Sequence, residues 1–236
     1  MRVFAISDLH LPGGEAKPMD IFGLHWENHF EKIQADWQQK VAEDDLVLIA
    51  GDISWAMRLA DAASDLEAIG ALPGRKVILR GNHDYWWSSI SRVRAALPEG
   101  MYAIQHDALT FGNVIICGTR GWISPDSAQA TEDDARIYQR EAMRLSLSLA
   151  EAEKMRETLL AQGKKPRIIA MLHYPPFGDK AQASEVTALL CEAGVDDAIY
   201  GHLHGPGLQG AFTGTLDGVR YHLTSCDGLG FQVYAL

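Results

Sequence analysis

Long hydrophobic runs are missing from this sequence. No stretch approaches the ~20 consecutive apolar residues needed to cross a bilayer as a helix, which excludes a membrane-spanning helix. Cysteine is scarce. Cys117, Cys191 and Cys226 are the only three in 236 residues, they lie far apart, and no CxxC occurs. That excludes a disulfide framework and suits reduced thiols packed in the core of a cytoplasmic protein. Basic blocks are missing too. Lys and Arg total 21 against 31 Asp and Glu, for a net charge of −10. The short "GKKPR" at 163–167 reads as a loop. Without a basic face, counterion release has little to act on, so no stable complex with long nucleic acid is expected. No basic amphipathic segment offers itself to a lipid surface either. The acidic balance still admits nucleotides, or a site where metal ions carry the positive charge. Linkers, repeats and low-complexity tracts are absent, so residues 1–236 read as one domain, long enough to bury a sizeable core. The start, "MRVFAISDLHL", meets charge too early for a secretory leader.

What is present is one arrangement written five times. "RVFAI" leads into Ser7-Asp8-Leu9-His10, and "DLVLIA" into Gly51-Asp52. "KVILR" leads into Gly81-Asn82-His83-Asp84, "RIIAML" into His173, and "DAIY" into Gly201-His202-Leu203-His204. Each is a short apolar run that suits a buried strand, followed at once by side chains able to bind metal. Helical patterns lie between them. Trp26, Phe30, Ile33, Trp37 and Val41 form an apolar stripe at helical spacing over 26–42. Residues 58–71 and 88–97 also read as helices. A long helix is predicted over 131–162, with Thr131 as N-cap, Asp133 and Asp134 in its first turn and Gly163 ending it. Its apolar side is Ile137, Met143, Leu145, Leu149, Met155 and Leu159. Strands are expected at 208–212, 218–223 and 231–235. This order predicts an α/β fold, either a mixed sheet or two stacked mixed sheets with helices outside.

In open α/β folds, ligands bind beyond the carboxyl ends of the strands, so these five strand ends should converge. On extended backbone, Asp-x-His and His-x-His would turn both side chains to one face. Imidazole with carboxylate suits borderline divalent metals, Mn, Fe, Zn, Co or Ni, and the donors are too many for one tetrahedral zinc. A metal pair ~3.5–4 Å apart would yield hydroxide at neutral pH and stabilise charge in an in-line displacement at phosphorus.

The ordered set "DLH", "GD", "GNHD", "H" and "GHLH" resembles the calcineurin-like metallophosphoesterase superfamily, over residues 8 to 204. The resemblance implies a two-sheet sandwich flanked by helices and a dinuclear metal-dependent phosphoesterase acting through a metal-bridging hydroxide. By motif position, Asp8, His10 and His204 match the ligands of one metal. Asn82, His173 and His202 match those of the other, and Asp52 matches the bridging carboxylate. Two divalent transition-metal ions are expected, manganese first. His83 matches a histidine that is not a ligand and assists the leaving group, and Asp84 a supporting hydrogen-bonding position. The expected substrate is a small phosphodiester or nucleotide. The alternatives are a nuclease or protein phosphatase of the same superfamily, a non-catalytic scaffold, or a single-zinc hydrolase.

Other residues carry two readings. His25, His29, His106 and His222 read as surface or packing residues. Tyr85, Trp86 and Trp87 either wall the substrate pocket or cover the core. Arg58, Arg80 and Arg120, with Trp122, either meet the substrate or lie exposed in loops. The segments 11–28 and 120–140 leave strands at the site end and are expected to shape specificity. No oligomeric state follows.

Overall fold

A computed structural model describes residues 1–14, 19–128, 130–178 and 182–236. Parts of the two predicted specificity segments, 15–18 and 129, lie outside the described residues. The chain divides into two compact units, one of residues 1–103 and 224–236, the other of residues 104–223. Each has its own sheet and its own core.

The first unit is built on strands β1 (Val3–Ile6), β2 (Leu46–Ile49), β3 (Arg75–Ile78), β4 (Met101–Ala103) and β11 (Tyr234–Ala235), in the order β11-β1-β2-β3-β4. β1 to β4 run parallel and β11 is antiparallel to β1. Helices α1 (His29–Lys40), α2 (Ala63–Gly70) and α3 (Ile90–Ala96) contribute Ile33, Trp37, Leu66, Ile69 and Val93 to one core with Phe4, Ile6, Val47, Ile49 and Ile78. The second unit holds β5 (Ala108–Phe111), β6 (Val114–Thr119), β7 (Arg167–Leu172), β8 (Asp197–Tyr200), β9 (Gly214–Leu216) and β10 (Val219–Leu223), in the order β5-β6-β7-β8-β10-β9. Its core joins α4 (Glu132–Ala161) and α5 (Glu185–Glu192) to Ile115, Ile168, Ala170, Leu172, Ala198 and Tyr200. The fold is therefore α/β, with two mixed sheets flanked by helices.

α4 begins as its sequence predicts. The Thr131 hydroxyl accepts the Asp134 N–H, and the Asp134 carboxylate accepts the Thr131 N–H, a reciprocal cap. Its buried side runs through Tyr138, Ala142, Leu145, Leu149, Ala152 and Leu159, and Met143 faces out. The strand expected at 208–212 does not form. Residues Gly205–Gly210 make a 3-10 helix with Pro206 in its first turn, where a fixed φ favours a helical start.

At the amino end of β8, Asp197 ties three strands together. Arg167 on β7 and Arg220 on β10 each donate two hydrogen bonds to it, and His222 Nε2 lies 3.0 Å from its Oδ1. His222 is thus a structural residue. Burial alone pushes the Asp197 carboxyl up, but the His222, Arg220 and Arg167 bonds outweigh it and hold the group well below the usual carboxylate range. A lowered folded value means that the ionised form stabilises the fold above the unfolded pKa of ~3.9, and that this is lost as pH falls through the folded value. Asp197→Asn is expected to cost about 2–3 kcal/mol at pH 7, less than a sealed pair because Arg220 is half exposed. Thermal melts against pH should show a flatter acid limb in the variant. An unchanged acid limb would remove Asp197 from this role.

Candidate functional site

In the first unit, the parallel order of β1, β2 and β3 brings three predicted strand ends to one edge. Pairing continues past the strands. Asp8 N–H donates to Gly51 O, His10 N–H to Asp52 O, Leu11 N–H to Ile53 O, and Trp55 N–H returns to Leu11 O. Asp8 offers a ligand atom within 4.8 Å of one from His10, and within 4.8 Å of one from Asp52. Asp8 and Asp52 are buried, and His10 is only 5% exposed.

These residues do not converge by strand alternation. Asp8, His10 and Asp52 have φ of 59°, 47° and 51°, in the left-handed region. His202, in the second unit, has φ 73°. Left-handed backbone costs a non-glycine residue roughly 1–2 kcal/mol, and such strain gathers at functional sites. Among the described residues, eight that are not glycine have positive φ, and four of them are predicted ligands.

Gly81 is required by contact. A Cβ there would overlap Asp52 Oδ1 and Asp52 N, and sit 2.8 Å from Asp52 Cγ. One residue on, His83 N–H donates to Asp52 Oδ1 at 2.8 Å. The His83 imidazole is 36% exposed, with Nε2 4.0 Å from Asp52 Oδ2, so it can meet a substrate. Asp84 is fully buried and supports both turns. Its Oδ1 accepts from Ile53 N–H, Ser54 N–H and Trp86 Nε1–H, and its Oδ2 from Gly81 N–H. Burial pushes this carboxyl up, while the N–H donors act the other way. Of the aromatics that follow, Trp86 and Trp87 belong to the core, and Tyr85 is 54% exposed, with its ring edge-on to His83.

Three supporting residues escape a motif reading. The Trp55 ring stacks on His10 with centroids 4.9 Å apart, and lies 4.6 Å from His83. An aromatic three residues past Asp52 is the signal for it, though nothing in the sequence names its partners. Ser7 Oγ donates to Asp8 Oδ2 at 2.5 Å. Cys226 Sγ donates to Asp8 O, and burial keeps its thiol protonated. His29, expected as a packing residue, bonds Leu9 O through Nε2 at 2.8 Å, and burial lowers its pKa.

In the second unit, His173 directly follows β7, and His202 and His204 follow its parallel neighbour β8. Gly201 N–H donates to His173 O at 3.1 Å, and the His173 and His202 rings lie 5.2 Å apart. Arg120 joins β6 to this end, its carbonyl accepting from both His173 and Tyr174 N–H. Its guanidinium lies over the Trp122 ring and 4.0 Å from the buried Glu141. Trp122 Nε1–H is held by Asp134. The Arg120 and Trp122 side chains are therefore anchored to each other and to α4, while the Arg120 carbonyl supports the His173 turn.

The structure of phosphopantetheinyl hydrolase from Mycobacterium tuberculosis superposes with a TM-score of 0.50 at 15% identity, covering 95% of this chain and 88% of that one. A protein of unknown function from Aquifex aeolicus gives 0.47 at 15% identity, covering 99% and 95%. The Gene 66 protein of Mycobacterium phage D29 is 35% identical over 86 residues, 35% of this chain. The chain spans 40% of the length of that curated relative. The calcineurin-like phosphoesterase model matches residues 1–206, which carry every strand end described above, and the chain belongs to that family.

Proposed function

We propose that this protein is a dinuclear metal-dependent phosphoesterase acting on a small phosphodiester or nucleotide. Family membership supports phosphoester hydrolysis in general. The observation that carries the finer reading is the left-handed backbone at Asp8, His10, Asp52 and His202. Strain at four donor positions fits residues held for ligation rather than for folding. The donors Asp8, His10, Asp52, Asn82, His173, His202 and His204 would hold the ions, and their mix of imidazole, carboxylate and amide suits manganese or a similar divalent metal. When bound, a metal pair supplies a deprotonated water at neutral pH and charge stabilisation at the phosphoryl oxygens. The chain supplies the rest. Asp52 fixes His83 through the main chain, and His83 delivers a proton to the leaving oxygen. Trp55 limits the swing of that imidazole. The acidic net charge and the three thiols support a cytoplasmic enzyme for small substrates.

The test is elemental analysis together with a metal-supplemented screen of mono- and diesters, cyclic nucleotides included. Close to two transition-metal ions per chain and turnover of at least one class are expected. Full loading with uniform inactivity would overturn the enzymatic reading, and an active enzyme holding one ion or none would overturn the dinuclear one. His83→Ala should keep its metals and lose about 100-fold in kcat on esters with poor leaving groups. Near-wild-type kcat on such an ester would rule out the proton-donor role.

A further inference from the structure

The second unit contains a cavity of about 330 Å³ with His202 in its wall. That volume is at the small end for ligand sites, enough for one ring system or a short branched chain. Tyr174, whose ring lies 4.2 Å from that of His202, links the histidine to the apolar part of the wall. Phe177, Leu203 and Phe212 belong to that part, with the Phe177 and Phe212 rings edge-on at 4.9 Å. Ser124 and Ser127 supply the hydroxyls. Among the described residues, no Lys, Arg, Asp or Glu lines it. A second phosphate or a carboxylate placed there would lose its hydration and meet no Lys or Arg among the described residues. A neutral flat group would gain ring contacts and one or two hydrogen bonds.

Resting on the phosphoesterase reading, we infer that this cavity receives the organic group of the ester, and that the group is uncharged and aromatic or compactly apolar. The substrate class is then a phosphoester of such an alcohol, with its phosphoryl group on the His202 side. Esters of charged alcohols, and of small alcohols that leave the cavity empty, are poorer substrates.

Gly207 permits a direct test. It lines the cavity, its φ lies outside the left-handed region, and a Cβ there meets only Leu203, at 3.8 Å. Gly207→Leu should therefore fill the space without backbone strain. The probes are benzyl alcohol, followed by saturation-transfer NMR on metal-loaded protein, and benzyl against ethyl phosphate esters, whose leaving alcohols have similar basicity. Gly207→Leu is expected to weaken benzyl alcohol binding tenfold or more and to lower the benzyl-to-ethyl kcat/KM ratio by a similar factor. Phe212→Ala, which enlarges the cavity, should raise the ratio for a naphthylmethyl over a benzyl ester several-fold. Benzyl alcohol binding unaffected by Gly207→Leu, or no benzyl preference in the wild-type enzyme, would overturn the assignment. Binding that Gly207→Leu abolishes, in a protein that hydrolyses no ester, would uphold the cavity and sink the phosphoesterase reading instead.

Discussion

Gly81→Ala is expected to lower kcat/KM by about 100-fold or more and to reduce bound metal, in a protein that still folds. The Cβ overlaps not only a carboxylate oxygen of Asp52 but its backbone N, and backbone cannot swing aside as a side-chain tip can. Relief requires the β2 turn to retreat from the β3 turn. Asp52 then moves, and with it the oxygen that accepts His83 N–H. Misplacing reacting groups by about 1 Å costs on the order of 100-fold in rate. Overpacking itself costs about 1–3 kcal/mol, which a domain of ordinary stability survives. Asp52→Asn separates charge from position, because it keeps the shape and removes the anion, so it should lose metal without the overpacking penalty. Calorimetry, metal analysis and kcat/KM on the same preparations distinguish the two. A Gly81→Ala protein with full metal and wild-type kcat/KM would show that the turns part without consequence.

Much of this arrangement is legible in the sequence because it depends on local chemistry. Apolar runs such as "VFAI", "LVLI" and "RIIAML" stop at polar residues, and strand ends follow from that change alone. The boundaries of α4 follow from Thr131 and Gly163 for the same reason. Contacts between segments are not legible. Trp55 carries no motif, and its role depends on lying across two histidines from other turns. Trp86 and Trp87 look like Tyr85 on paper, but the turn that Asp84 closes sends the first two into the core and leaves the third outside. Residues 208–212 mislead because the pattern of "LQGAF" suits a strand, while Pro206 and the glycines around it favour a tight helical turn. The left-handed residues are the hardest case, since Asp and His give no sign in sequence that their backbone is turned.

Asp84→Ala should be the most destabilising single change in the first unit. Four N–H groups, from Ile53, Ser54, Gly81 and the Trp86 indole, would lose their acceptor at a fully buried position. Each orphaned donor costs about 1–3 kcal/mol, and with partial relaxation the total should reach about 4 kcal/mol or more. That is a large fraction of the 5–15 kcal/mol that holds a typical domain together. Asp84→Asn should separate stability from function. With its carbonyl oxygen in the Oδ1 position, asparagine still serves Ile53, Ser54 and Trp86, so the fold should lose only about 1–2 kcal/mol. Its amide then faces the Gly81 N–H, donor against donor. The strain falls on the one bond that pins the start of the Gly81-Asn82-His83 turn. Chemical denaturation should rank wild type, Asn, then Ala with wide spacing between the last two. Activity should already be down tenfold or more in Asn, with the loss in kcat rather than KM. If Asn matches wild type in kcat, the Gly81 bond does not position the turn, and Asp84 acts on stability alone.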